Sequence, residues 1–93
     1  ASLEASSRYL AKELGPDNIR VNVISPGPIK TLSASGIKDF AELMKIGGAH
    51  SAMKRTVTQE EVAQTAVFLA SDASSGITGQ VIYVDCGYSI MAN

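Results

Sequence analysis

The chain has 93 residues, 45% hydrophobic and 18% charged, with a formal net charge of −1. This is the composition of one small globular unit; it excludes a disordered chain, and with Lys54-Arg55 as the nearest thing to a basic cluster it excludes an electrostatic nucleic-acid footprint. The longest fully apolar run, 66–70, is too short to cross a membrane, no segment has the pattern of a signal peptide, and the single cysteine, Cys86, fits a reducing cytoplasm.

Residues 1–14 are predicted to be a helix, with Leu3, Leu10, Ala11 and Leu14 on one stripe and Glu4, Arg8, Lys12 and Glu13 largely off it. Gly15, able to turn left-handed, and Pro16 stop it. Residues 19–25 read as a strand, and "SPGPIKT" (25–31) ends it and opens a loop over 26–35. Ile37, Phe40, Leu43 and Met44 at helical spacing predict a short helix over 36–46, ended by Gly47-Gly48. Thr58 with Glu61 three residues on is a capping box that opens a helix over 58–71. Val62, Ala66, Leu69 and Ala70 share one face of it and Val67 and Phe68 widen that face, which predicts burial on more than one side. Residues 80–85 form a second strand after the turn "SSGITG", and 86–93 are a tail. The order helix, strand, two helices, strand predicts an α/β class with a parallel, right-handed crossover. Two parallel strands alone make no stable sheet, so further strands are expected outside these residues.

The usual signposts of chemistry are missing: there is no Gly-x-Gly-x-x-Gly, Walker sequence, Cys-x-x-Cys or Gly-x-Ser-x-Gly. His50 is the only histidine, and its neighbours offer no second metal ligand, so it reads as a loop or surface residue. The loop is the place to look, because ligands of open α/β sheets sit beyond the carboxyl ends of the strands. Pro26 cannot extend a ladder; Gly27 permits a path closed to other residues and leaves no Cβ in the way of a flat ligand; Pro28 stiffens the next step. The Ile29 N–H and C=O would then match a primary carboxamide, and the Thr31 hydroxyl a phosphate oxygen. Spacing alone leaves two readings open, a plain strand-ending turn or a ligand loop, and it likewise leaves Ile37, Phe40 and Leu43 open as ordinary core.

"NIRVNVISPGPIKT" and "ITGQVIYVDCGY" resemble the last third of the short-chain dehydrogenase/reductase superfamily, where an N-x-x-x-P-G-x-x-x-T loop contacts the nicotinamide half of the cofactor. The stretch "GPIKTLSASGIKDF" is similar to the bacterial enoyl-acyl carrier protein reductases, and the resemblance covers essentially the whole chain. It implies the C-terminal part of a doubly wound, parallel-sheet (Rossmann-type) domain, incomplete here. The activity implied is NADH-dependent reduction of trans-2-enoyl-acyl carrier protein in fatty acid elongation, by a cytoplasmic homotetramer. An alternative is another member of the superfamily, such as a 3-oxoacyl-acyl carrier protein reductase, or a non-catalytic fragment when on its own.

Carried onto this sequence, the resemblance implies cofactor contacts at Gly27, Pro28, Ile29, Lys30, Thr31, Leu32 and Ser33, with Thr31 at the pyrophosphate. It implies an acyl-chain lid from Ser33, Ala34, Ile37, Phe40 and Leu43, hinged at Ser35-Gly36 and Gly47-Gly48. The family's catalytic Tyr and Lys are expected upstream of Ala1, spaced Tyr-x6-Lys; Tyr9, Tyr83 and Tyr88 do not occupy the matching position. Cys86 stands where the superfamily usually has the first glycine of Val-Asp-Gly-Gly, and Pro26 is typical of the superfamily where several enoyl reductases have Ala.

Overall fold

The computed structural model describes residues 2–29 and 40–91, except for the side chains of Phe40 and Leu43. Five main elements follow in order: α1 (Ser2–Leu14), β1 (Val23–Pro26), α2 (Phe40–Ala49), α3 (Gln59–Ala70) and β2 (Val81–Val84). Short 3-10 turns occupy Gly15–Asp17, Asp72–Ser74 and Tyr88–Ile90. The strands pair in parallel, Val23 opposite Val81 through Pro26 opposite Val84, and α3 packs against both.

β1 starts at Val23, four residues later than the expected 19–25 strand. Over 20–22 the chain entering β2 is held by one backbone bond, Gly79 N–H to the Val21 carbonyl (2.8 Å), and otherwise through side chains. Val21 N–H donates to Thr78 Oγ1 (3.0 Å), Asn22 Nδ2 donates to the Ile77 carbonyl (2.9 Å), and Asn22 Oδ1 accepts Gln80 N–H (3.0 Å). Arg20 reaches further, donating to Ser74 Oγ (3.0 Å) and to the carbonyls of Ile77 (3.4 Å) and Ser71 (3.3 Å). The strand also runs one residue longer than expected, through Pro26. Val23 N–H and Gly27 N–H donate to the Gln80 and Val84 carbonyls, so Pro26 lies out of phase with the donors toward β2 and its missing N–H costs the ladder nothing.

Other boundaries moved for equally local reasons. After α1 it is Asn18, not Gly15, that takes the left-handed conformation (φ 61°), its N–H closing on the Gly15 carbonyl at 2.8 Å; Asn tolerates this region better than most residues. Helix α2 does not stop at Gly47-Gly48 but continues to Ala49, while the expected start at 36 lies outside the described residues. Its carbonyls are met by His50, whose N–H and Nδ1 both approach the Ile46 carbonyl (3.1 and 2.8 Å), and by Lys54 Nζ on the Ala49 carbonyl (3.3 Å). His50 is thus a helix-capping surface residue.

The capping box at α3 forms with Thr58 as cap: its Oγ1 accepts Glu61 N–H (3.1 Å) and Glu61 Oε1 accepts Thr58 N–H (2.9 Å). Arg55 adds a bidentate pair to the same carboxylate, at 2.9 and 2.8 Å. That hydrogen bond first, then the Thr58 N–H, holds the Glu61 carboxyl at about 2, below its ordinary 4.5.

The breadth of the apolar face of α3 did not translate into burial within this chain. No α3 residue is buried, and Val67 is 70% exposed, although the helix packs against both strands. On α1 the described structure covers Ser7 and Ala11 while Leu3 is 67% exposed. Ala11 and Val57 are the buried hydrophobic residues among those described.

β2 ends in a turn with unusual backbone demands. Cys86 has φ 54° and Gly87 φ 84°, consecutive left-handed residues of which only the second lacks a Cβ penalty.

Three expectations are to be read in the complete gene product by chemical denaturation. Thr58→Ala removes the side-chain half of the capping box and lowers stability by about 1 kcal/mol. Cys86→Gly relieves the left-handed Cβ and raises stability by up to about 1 kcal/mol, whereas Cys86→Ala keeps the strain and gives no such gain. Glu61 binds its proton less readily when folded, so its contribution is complete above pH 4.5 and is lost as pH falls toward about 2. Glu61→Gln flattens this acid limb, and added salt shrinks it because the pair is exposed.

Candidate functional site

Both strands run toward the same end of the sheet, and there the chain is packed by close approaches rather than by large side chains. Gly27 follows β1 directly, with its N–H on the Val84 carbonyl at 3.2 Å. A Cβ added to Gly27 would lie 2.9 Å from the Asp85 Cβ and 3.2 Å from its Cα, closer than real side chains approach. The glycine is therefore required by its neighbour strand. The sequence reading that its missing Cβ makes way for a flat ligand is corrected: the space is filled by Asp85.

Pro28 is held from the other side. A Cβ on Gly47 would meet Pro28 Cγ at 3.1 Å, and one on Gly48 would meet the Arg55 Cα at 3.7 Å. Gly47 lets the last turn of α2 sit against Pro28, whereas a Cβ on Gly48 would make only ordinary contact with the connector; both glycines lie within α2, which ends at Ala49.

The turn after β2 completes this cluster. Asp85 is buried, at 8% exposure, and its carboxylate accepts Gly87 N–H and Ser89 N–H, each at 2.9 Å. Burial works to raise its pKa; the hydrogen bonds from Ser89, Gly87 and Tyr88 outweigh this and hold the carboxyl below its ordinary value. Gly87 in turn faces Ala52, whose Cβ lies 2.5 Å from where a Gly87 Cβ would be, and Met53 N–H donates to the Cys86 carbonyl at 3.0 Å. Ser51 pins the connector from within: it is 1% exposed, donates to the Arg55 carbonyl (2.7 Å) and accepts Arg55 N–H (3.0 Å).

Ile29 emerges from this packing half-buried, and neither its N–H nor its C=O has a hydrogen-bond partner among the described residues. A donor and an acceptor side by side, beyond the carboxyl ends of two parallel strands, fit a primary carboxamide such as that of a nicotinamide. Of the other sequence-predicted positions, Lys30, Thr31, Leu32, Ser33, Ala34 and Ile37, with the Ser35-Gly36 hinge, lie outside the described residues. Phe40 and Leu43 fall three apart on the backbone of α2, their side chains outside the description. Tyr9 lies on α1, Tyr83 within β2 and Tyr88 in the turn after it, all exposed. No group of three or more His, Cys, Asp or Glu among the described residues is arranged to hold a metal ion.

Asp85 was missed as a member of this site. Its signal was present in "VDCG": an Asp ending a strand, two residues before a glycine, is a residue type that bonds the backbone two residues on.

The chain is similar over nearly all its length to proteins of one family. Residues 1–89 match the family model described as Enoyl-(Acyl carrier protein) reductase. The enoyl-[acyl-carrier-protein] reductase [NADH] FabI of Rickettsia prowazekii is 53% identical over 93 residues, covering 100% of this chain and 36% of the relative. Its counterpart in Synechocystis sp. is 59% identical over 91 residues, covering 98% of this chain and 35% of the relative. Among solved structures, the Bacillus cereus enoyl-acyl carrier protein reductase with NADP+ and indole naphthyridinone superposes with a TM-score of 0.89 at 53% identity, over 99% of this chain and 36% of that one. The chain thus spans little more than a third of the length of the relatives it matches, and its two-stranded parallel sheet is part of a Rossmann-type α/β domain. It belongs to the enoyl-(acyl carrier protein) reductase family.

Proposed function

We propose that this segment supplies the nicotinamide-side loop and the acyl lid of an enzyme that reduces trans-2-enoyl-acyl carrier protein with NADH during fatty acid elongation. The observation that carries the proposal is the Ile29 backbone, an unpartnered donor and acceptor among the described residues at the carboxyl ends of the strands, in a chain whose relatives bear the name of that NADH-dependent reductase. When bound, the nicotinamide supplies a hydride.

The chain's own residues bind and orient. Ile29 holds the carboxamide through its N–H and C=O, and Gly27 and Pro28 set its direction by packing on Asp85 and Gly47. Lys30, Thr31, Leu32 and Ser33 continue along the cofactor, with the Thr31 hydroxyl on a pyrophosphate oxygen. Ser33 and Ala34 are small enough to leave room at the reacting carbons, while Ile37, Phe40 and Leu43 cover the alkyl chain and exclude water. The catalytic Tyr and Lys lie outside these residues in this proposal. Exposed apolar side chains on α3 and after β2, among them Val67, Phe68, Tyr88 and Ile90, support burial against the rest of the enzyme and assembly as a homotetramer. The ordinary composition and single cysteine support a cytoplasmic setting; no helix among the described residues is long and apolar enough to cross a membrane.

The test is an assay of the complete gene product with crotonyl thioester and NADH. NADH oxidation dependent on the enoyl thioester is expected, and its absence sinks the proposal. The isolated 93-residue segment is expected to fold poorly and give no turnover, since so little of its apolar surface is buried.

A further inference from the structure

Asp85 is a buried carboxylate without a part in the cofactor contacts just described, and it stands directly behind them. Resting on the reductase function proposed above, the geometry points to Asp85 as a positioning residue for the cofactor loop. Its carboxylate closes the turn after β2, and its Cβ, seated where Gly27 has no side chain, fixes the path from Gly27 to Ile29.

The argument has three links. The carboxylate accepts two backbone N–H groups, from Gly87 and Ser89, and so determines where its own Cβ lies. That Cβ is within 2.9 Å of the place where a Gly27 Cβ would be, so the two chains are already at contact and a shift of one displaces the other. Gly27 is two residues from the Ile29 backbone, with only Pro28, whose φ is fixed, between them, so a displacement at Gly27 is carried toward Ile29. The turn resists on its far side, where Gly87 is pressed on Ala52 and the Cys86 carbonyl is tied to Met53 N–H.

Asp85→Asn is the discriminating change. It keeps the shape and one oxygen, but its amide NH2 now faces one of the two N–H donors, and that side of the turn must move away. Gly27→Ala reaches the same contact from the other strand by adding a methyl where the Asp85 Cβ sits.

The experiment uses the complete gene product and measures NADH Kd by fluorescence, steady-state constants with crotonyl thioester, and thermal melting. Asp85→Asn and Gly27→Ala are each expected to raise the NADH Kd about fivefold to tenfold, with the KM for the enoyl thioester changed less than about twofold. Thr58→Ala, a destabilising change away from the loop, is expected to lower the melting temperature and leave the NADH Kd as in the wild type. Wild-type turnover with an unchanged NADH Kd in both Asp85→Asn and Gly27→Ala overturns the positioning role alone, as does a Kd that rises equally in Thr58→Ala. A wild-type product that neither binds nor oxidises NADH overturns the reductase function and the positioning role with it.

Discussion

The contact between Gly27 and Asp85 is the constraint on which the described end of the molecule depends. Two parallel strands of four residues each bring their carboxyl ends so close that one of them can carry no side chain. From that contact the packing spreads outward in both directions. Pro28, the next residue of the loop, rests on Gly47 of α2, and Gly87, two residues beyond Asp85, rests on Ala52 of the connector. Three glycines therefore set the spacing among the loop after β1, α2 with its following connector, and the turn after β2. Because the loop is placed by these contacts, the Ile29 backbone is left with its hydrogen-bonding capacity unspent among the described residues.

The opposite end of the sheet is built by different means. There Arg20 and Asn22 use side-chain groups to satisfy the carbonyls and N–H groups of the chain that leads into β2, and the buried Ser74 serves as an intermediate, bonded to Arg20 and to the Leu69 carbonyl. A polar clamp of this kind fixes the strand starts in register and satisfies backbone that has left the ladder. The carboxyl end is closed by glycine contacts and one buried carboxylate, and it is the end where α/β sheets bind their ligands. The two ends thus differ in how they treat the backbone: side chains satisfy it at the strand starts, while the Ile29 N–H and C=O have no partner among the described residues.

Cys86 shows a cost accepted at this end. The turn after β2 demands a left-handed residue just after Asp85, and a cysteine adopts it at φ 54°. Three hydrogen bonds hold it there, two to the Asp85 carboxylate and one from Met53 N–H to the Cys86 carbonyl. The superfamily's usual glycine would meet the same demand without a Cβ.

Local sequence determined the elements themselves. The capping box at Thr58 and Glu61, the alternation of 81–84 and the break at Pro-Gly-Pro were legible because each is settled by residues a few positions apart. The position of the loop, directly after a strand, was legible too. What each glycine does was not, because the reason for Gly27 is Asp85, 58 positions away in the sequence, and the reason for Gly47 is a proline on the preceding loop. The late start of β1 had the same origin, since Arg20 and Asn22 find their partners only when residues 71–80 fold back beside them. Sequence alone fixes which backbone conformations are permitted at a position; which of them is needed is decided by the atoms that tertiary folding brings within 3 Å of it.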